Sequence, residues 1–149
     1  MGEFNPESFK RLFTQLGWSP HGASEDVITA AEADTGVRFP SDYRSFFRWA
    51  TWAAGWLGEE AYISLYPVEE LAESTINLRL HELLPGVAII GTSGGGMALG
   101  LTWRAGRPLF VWLPFDCMID RQVRVLGHTL MESLQALAHD SGWQVDLTL

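Results

Sequence analysis

Five consecutive residues at positions 91–95, Gly-Thr-Ser-Gly-Gly, satisfy the G-x-S-x-G pattern of a serine hydrolase. Ser93 could act as a nucleophile if it lay on a strained turn from a strand into a helix, and aspartates and histidines follow it in hydrolase order. A strand is predicted before Ser93, but the residues after it alternate in size as a second strand does. Glycines 94–96 also suit a tight connection between two strands. A small serine hydrolase therefore ranks third among the functions that the sequence allows.

The residue types that bind metals or serve as nucleophiles are otherwise scattered. Cys117 is the only cysteine, so an internal disulfide is impossible and a thiolate zinc site is disfavoured. No Gly-Lys-Ser or Gly-Lys-Thr segment follows the glycines, as a phosphate-binding loop requires. We therefore expect no catalytic residue, no metal and no cofactor. The histidines are expected at the surface or at helix ends: His21, His81, His128 and His139.

The balance of charge narrows the class of partner. Lysine and arginine total 10 against 18 aspartate and glutamate residues, which gives a net charge of -8. Such a field repels nucleic acid and anionic lipid surfaces, so direct binding to either is disfavoured. The charge either serves solubility or steers the chain toward a basic protein partner.

The length of the chain predicts a single domain over residues 1–149, held together by one core. No apolar run approaches the roughly 18 residues that a membrane span needs. The first residues contain neither the basic nor the apolar segment of a signal peptide. We therefore expect a cytoplasmic protein that does not enter membranes.

Tryptophans near residue 50 are the leading candidates for binding a partner. A helix is predicted to begin at residues 39–42, with apolar aromatic side chains at helical spacing on its core face. If this helix continues to Gly55, Trp49 and Trp52 lie on its opposite face and Trp56 extends their stripe. Either the domain itself covers both faces, or the stripe is an exposed anchor for a partner.

Acidic residues follow this stripe and also flank a later loop. Glu59 and Glu60 come directly after the tryptophans, where carboxylates would speed the capture of a basic partner. Asp116 and Asp120 flank a loop beyond an apolar strand, although loop aspartates usually form turns. The predicted partner-binding residues are Trp49, Trp52, Trp56, Glu59, Glu60, Asp116 and Asp120.

Helices are predicted toward both ends of the chain. Asparagine, serine and threonine are the predicted N-caps of helices over residues 5–17, 24–36 and 129–142. Phe4 and Phe9 have the spacing of a hydrophobic staple across the first cap. Pro67 indicates a further helix start.

Strands are predicted in the second half of the chain. Residues 87–90 are rich in β-branched side chains, residues 97–103 alternate in size, and residues 123–125 suggest one more strand. Residues 109–113 are apolar at every position, which indicates a central strand or one covered on both faces. The tail, residues 143–149, alternates again and is either an edge strand or a strand offered to another chain.

Several of these segments together resemble the SUKH superfamily, which contains bacterial immunity proteins and fungal cell-wall-assembly regulators. Their order and spacing from residue 24 to about residue 115 carry the resemblance, and the final helix fits it too. At residues 51–56 the chain departs from the Asn-Gly turn that usually ends the third helix in this family. The residues that match are Ile28, Glu32, Gly36, residues 39–43, Phe46, Phe47, residues 63–66, Ile90, Gly91 and glycines 94–96.

The resemblance implies a fold and a function. The implied fold is α+β, a mainly antiparallel sheet packed by N-terminal and C-terminal helices. The implied function is that of an immunity protein, which binds a cognate toxin of the polymorphic class and blocks it by occlusion, without catalysis. An intracellular adaptor or regulator that binds a different protein is the alternative. The chain is expected as a monomer or a homodimer.

Overall fold

The computed structural model describes residues 4–59, 61–73, 85–115 and 122–146. Its α-helices include α1 (Pro6–Arg11), α2 (Glu25–Thr35), α3 (Ser41–Trp49) and α4 (Leu130–Ala138), and a 3₁₀ turn covers Val68–Glu70. The strands are β1 (Gln15–Trp18), β2 (Ala53–Leu57), β3 (Ala61–Leu65), β4 (Ala88–Thr92), β5 (Met97–Arg104), β6 (Arg107–Pro114), β7 (Gln122–Gly127) and β8 (Trp143–Asp146). Within these ranges, none of the helices has the length and apolar character needed to cross a membrane.

The described strands form an eight-stranded antiparallel sheet in which each strand pairs with its neighbours in the chain. Strands β5 and β6 pair along their whole length. Ala105 and Gly106 connect these two strands with φ angles of 53° and 78°, which match the twist of a two-residue hairpin. The α+β fold with a mainly antiparallel sheet is therefore confirmed.

Both faces of the central strands are buried. Phe110 of β6 belongs to the core beneath the helices, whereas Leu109, Val111 and Leu113 belong to a second cluster on the other face. Successive side chains of a strand point to opposite faces, so an apolar run buries both. The prediction that residues 109–113 form a strand covered on both faces is confirmed.

Helix α1 begins as predicted but ends early. The Asn5 side chain accepts hydrogen bonds from the N–H groups of Glu7 and Ser8, and the rings of Phe4 and Phe9 lie 5.3 Å apart. The prediction of a helix to residue 17 was wrong, because residues 15–18 form β1 and pair with β2. That pairing joins distant segments, so the local pattern does not reveal it.

The predicted extension of the third helix to Gly55 was also wrong. Helix α3 ends at Trp49, and Ala50 is already extended, with φ of -150°. From Ala53 onward the burial alternates with a period of two, with residues 53, 55 and 57 buried and Trp56 exposed. This period is that of a strand, and it sets the direction of every side chain in β2.

Helices α3 and α4 are joined by a buried carboxylate. Asp42, in the first turn of α3, is 1% exposed, and its Oδ2 accepts a hydrogen bond of 3.2 Å from the N–H of Met131. The carboxylate of Asp42, on α3, thus accepts from a free N–H group in the first turn of α4. The dipole of α4 favours negative charge at this N-terminal end. Burial raises the pKa of Asp42 above its ordinary value, and backbone hydrogen bonds oppose this rise.

Helix α4 and the tail follow the sequence pattern. Thr129 Oγ1 accepts from the N–H of Glu132, as expected of the predicted N-cap, and Glu132 Oε1 accepts from the N–H of His128, the residue before the cap. The helix ends at Ala138, four residues earlier than residue 142, and His139 is its C-cap. Strand β8 then pairs with β7 within the chain and forms the sheet edge.

Replacement of Gly55 by alanine is expected to destabilise the fold strongly. A Cβ at Gly55 would lie 2.1 Å from the carbonyl oxygen of Gln15 and 2.9 Å from Cα of Leu16, so β1 would have to move. We expect Gly55→Ala to lower the free energy of unfolding by about 3 kcal/mol or more, as overpacking against backbone does. Urea denaturation measures this loss.

The matched control is Gly96→Ala, because a Cβ at Gly96 meets nothing within 4 Å. Equal stabilities of the two variants would contradict the close approach of β1 to β2.

Replacement of Asp42 by asparagine is expected to change how stability depends on pH. Because the pKa of Asp42 is raised above 3.8 in the folded protein, the folded state binds more protons than the unfolded state just above that pH. The contribution of Asp42 to the free energy of unfolding therefore falls as pH rises from about 4 through its raised folded pKa. We expect the wild type to lose stability relative to Asp42→Asn over this interval in urea titrations. A wild type that gains stability relative to the variant would contradict the raised pKa.

Candidate functional site

Two tryptophans project from the sheet on the face opposite the helices. Ala53, Gly55 and Leu57 of β2 point into the core, so the intervening side chain of Trp56 must point outward. Trp56 is 39% exposed and Trp52, just before the strand, is 38% exposed. Large apolar side chains at this exposure are available to a partner.

Trp52, Trp56 and Tyr62 share this outer face and are called the aromatic face below. The ring of Trp52 lies 3.9 Å from the position that a Cβ of Gly17 would occupy, and Gly17 pairs with Ala54 of β2. Directly paired residues project on the same side of a sheet, which places Trp52 on the side of Trp56. Trp56 in turn pairs with Tyr62 of β3, with ring centroids 5.3 Å apart at 65°.

Trp49 lies on the helix side of the sheet. Its ring stacks on Trp18 at 5.4 Å, and it also contacts Phe4, Phe9 and Phe46 of the core. The predicted helical stripe of three tryptophans was therefore wrong, because the helix ends at Trp49 and the strand sets the direction of Trp56. The participation of Trp49 in binding stays a prediction.

Glu59 is the described member of the predicted acidic group. It is exposed in the turn between β2 and β3, directly after Gly58, which has φ of 74°. Glu59 follows Trp56 by three residues, at the end of the strand that carries this ring. The other acidic candidates, Glu60, Asp116 and Asp120, lie outside the described residues, and so do Cys117 and His81.

A cleft, called the hairpin cleft below, lies between the β2–β3 turn and the C-terminal end of α4. One part, of about 400 Å³, is lined by residues 57–59, Ala61, Leu137, Ala138 and Asp140. The second part, of about 380 Å³, shares Ala61, Leu137 and Asp140 with the first. Its other lining residues are Trp56, Tyr62, Ser93, Gly95, Trp112 and Arg124. The aromatic face and the hairpin cleft thus form one continuous surface.

An ion pair at the helix end borders the cleft. Arg124 Nη1 lies 3.1 Å from Asp140 Oδ1, and Arg124 Nε donates to the carbonyl of Ser141 over 2.9 Å. These residues come from β7 and the end of α4, whereas Glu59 comes from the distant β2–β3 turn. Arg124 and Asp140 were not predicted from the sequence, because no local pattern brings such separate segments together.

The family of the chain follows from its match to a known family model. The chain matches the SMI1/KNR4 family (SUKH-1) over residues 22–133. It belongs to the SUKH-1 family. The match runs from just before α2 into α4 and so contains the aromatic face and the β2–β3 turn. No curated protein matches the chain significantly.

The glycine-rich segment of this SUKH-1 chain does not form a nucleophile elbow. Ser93 follows β4 and precedes β5, so it lies on a turn between two strands. Its Oγ accepts hydrogen bonds from the N–H groups of Gly95 and Met97, over 3.1 and 3.2 Å. The elbow requires a strand-to-helix turn, so the structure supports the alternative of a tight strand connection.

Two histidines of the SUKH-1 chain, His128 and His139, have structural roles. His128 Nδ1 lies 2.9 Å from the carbonyl oxygen of Pro108, and His139 caps α4. Among the described residues, no group of three potential ligands could hold a metal ion.

The two tryptophans are expected to differ in their contribution to stability. Trp49→Ala removes contacts to four aromatic rings and should lower the free energy of unfolding by about 3 kcal/mol. Trp56→Ala removes an exposed ring from the sheet surface and should cost about 1 kcal/mol or less. Urea denaturation of both variants measures the difference, and a larger loss for Trp56→Ala would contradict this division between core and surface.

Proposed function

We propose that this SUKH-1 protein is an immunity protein, which binds a bacterial toxin and covers its active site or substrate groove without chemistry of its own. The aromatic face carries the proposal. Trp52 and Trp56 are exposed on the sheet face opposite the described helices. Membership of a family that is generally non-catalytic supports binding rather than catalysis.

The aromatic face suits tight binding for two physical reasons. Tryptophan and tyrosine side chains bury much area and are enriched among the residues that dominate binding energy. Strands β1, β2 and β3 also hold these rings on paired backbone, so little conformational entropy is lost when a partner binds. A rigid inhibitor of this kind can block a toxin by occupying its surface.

The charge of the protein favours a basic toxin. The net charge of -8 and the exposed Glu59, at the end of the strand that carries Trp56, attract a positively charged surface. Complementary charge mainly raises the association rate, whereas the buried aromatic contacts determine how long the complex lasts. Fast capture suits an inhibitor that must act in the cytoplasm, where we propose that this protein meets its toxin.

An intracellular adaptor that binds another protein is the second candidate. The same exposed aromatic face would serve that role, and the superfamily includes fungal regulators as well as immunity proteins. The two candidates differ in the consequence of binding, because only an immunity protein restores growth to a cell that makes the toxin.

Co-expression with the product of the neighbouring gene tests the proposal. We expect cells that make the neighbouring protein alone to die, and cells that make both proteins to survive and yield a stable complex. A complex without any effect on survival would favour the adaptor. If the cells do not survive and no complex forms, the immunity function is overturned for this pair.

Two substitutions test the choice of surface in the purified complex. Trp52→Ala should raise the dissociation constant about 30-fold or more, as loss of a dominant aromatic contact does. Glu59→Lys should mainly lower the association rate, and its effect should shrink as salt is added. Glu69→Lys is the matched control, because Glu69 is exposed in the 3₁₀ turn, away from the lining of the cleft. Unchanged affinity for both site variants would exclude this surface.

A further inference from the structure

Beyond the proposed function, and resting on it, we propose that the hairpin cleft receives an arginine or lysine side chain of the protein partner. The aromatic face would then anchor the partner, and the cleft would select a basic residue next to the anchor. The apolar residues of the floor, the charge of the two walls, the end of α4 and the continuity with the aromatic face each support this occupant.

Four apolar residues contribute to the floor of the first part of the cleft, whose exposed surface is more polar than apolar. Leu57, Ala61, Leu137 and Ala138 line it, and its volume is about 400 Å³. Arginine and lysine have long aliphatic stems that pack against apolar surface while the charged group stays near water. The floor therefore fits the stem of a basic side chain.

A carboxylate stands on each wall of the same part. Glu59 is on the side of the β2–β3 turn, and Asp140 is on the side of α4. Both side chains are exposed, and that of Asp140 is 94% exposed. A cation that enters between the walls can reach either carboxylate without a buried, unpaired charge being left behind.

The end of helix α4 adds to the negative potential. Leu137, Ala138 and Asp140 of the lining lie at its C-terminal end, where the helix dipole favours cations. Among the described lining residues, Arg124 carries the positive charge, and it belongs to the second part of the cleft. Its guanidinium is held by Asp140 and by the carbonyl of Ser141. The charge of Asp140 is thus partly matched, whereas Glu59 faces the first part of the cleft.

Aromatic rings connect the cleft to the proposed anchor. Trp56 and Tyr62 line the second part together with Trp112. The faces of such rings attract arginine and lysine, with arginine favoured because its planar group also stacks. A basic side chain next to an apolar anchor on the partner could therefore contact both the carboxylates and the aromatic rings of the cleft.

A peptide titration of the whole protein tests the cleft without any toxin. The probe is acetyl-Gly-Arg-Gly-amide, and the matched neutral probe is acetyl-Gly-Gln-Gly-amide at the same ionic strength. We expect the arginine peptide to shift the indole N–H resonances of Trp56 and Trp112, with a dissociation constant in the millimolar range. The glutamine peptide should bind at least fivefold more weakly. Trp→Phe variants assign the resonances, and Trp143, which is outside the lining of the cleft, is the reference.

Charge variants then locate the cation. Glu59→Gln should weaken arginine binding about threefold to tenfold, and Asp140→Asn should weaken it as well, while Glu69→Gln should leave it unchanged. Equal binding of both peptides, shifts confined to Trp143, or no response to Glu59→Gln and Asp140→Asn would overturn the proposed cation site.

The peptide titration tests the cleft proposal, and the co-expression experiment tests the immunity function, so one proposal can be overturned without the other. Rescue of cells without any response to the arginine peptide would overturn the cleft proposal and leave the immunity function standing. An arginine-specific response without rescue or a complex would support a cation-binding cleft and overturn the immunity function.

Discussion

The pairing of β2 with β1 and β3 is the constraint on which the candidate surface depends. Ala53, Gly55 and Leu57 fill the core on one side of β2, and the alternation of side chains then leaves Trp56 on the other side. Gly55 is essential to this arrangement, because the backbone of Gln15 occupies the place of a side chain. A larger residue there would displace β1, the strand against which the ring of Trp52 packs.

The helices determine the other wall of the surface. Asp42 receives the N-terminus of α4, and the side chains of Thr129 and Glu132 complete its cap. The opposite end of α4 then lies beside the β2–β3 turn and forms the hairpin cleft. A buried carboxylate is costly when it is charged, and its pKa is raised for that reason. The free-energy cost of burying Asp42 accompanies a hydrogen bond that fixes the start of α4 relative to α3.

Binding by this protein would combine two kinds of contact. Rings held on a paired sheet give area with little loss of entropy, whereas Glu59 and Asp140 lie at the edge, where charge guides association more than it adds affinity. Because an inhibitor of this kind only occupies its target, it requires no reactive group. The position of Ser93 in a strand connection agrees with such a role.

The sequence by itself determined the elements that depend on neighbouring residues. Caps at Asn5, Ser24 and Thr129 start helices as predicted. Local alternation predicted β5 and β8, and runs of apolar or β-branched residues predicted β4 and β6. The family also followed from motifs along the chain. These features could be predicted because hydrogen bonds within a helix turn and the period of a strand are local.

Only the tertiary structure decided β1, β2 and the candidate surface. Residues 15–18 and 53–57 become strands by pairing with each other, and residues 53–57 also pair with β3. The pairing placed Trp56 on the outer face of a sheet and not in the predicted helical stripe, and Trp49 packs, partly buried, against the core. The hairpin cleft likewise joins Glu59 to Asp140, more than half the chain away, because packing of α4 against the sheet brings them together. Such contacts depend on long-range burial, which no local pattern of residues encodes.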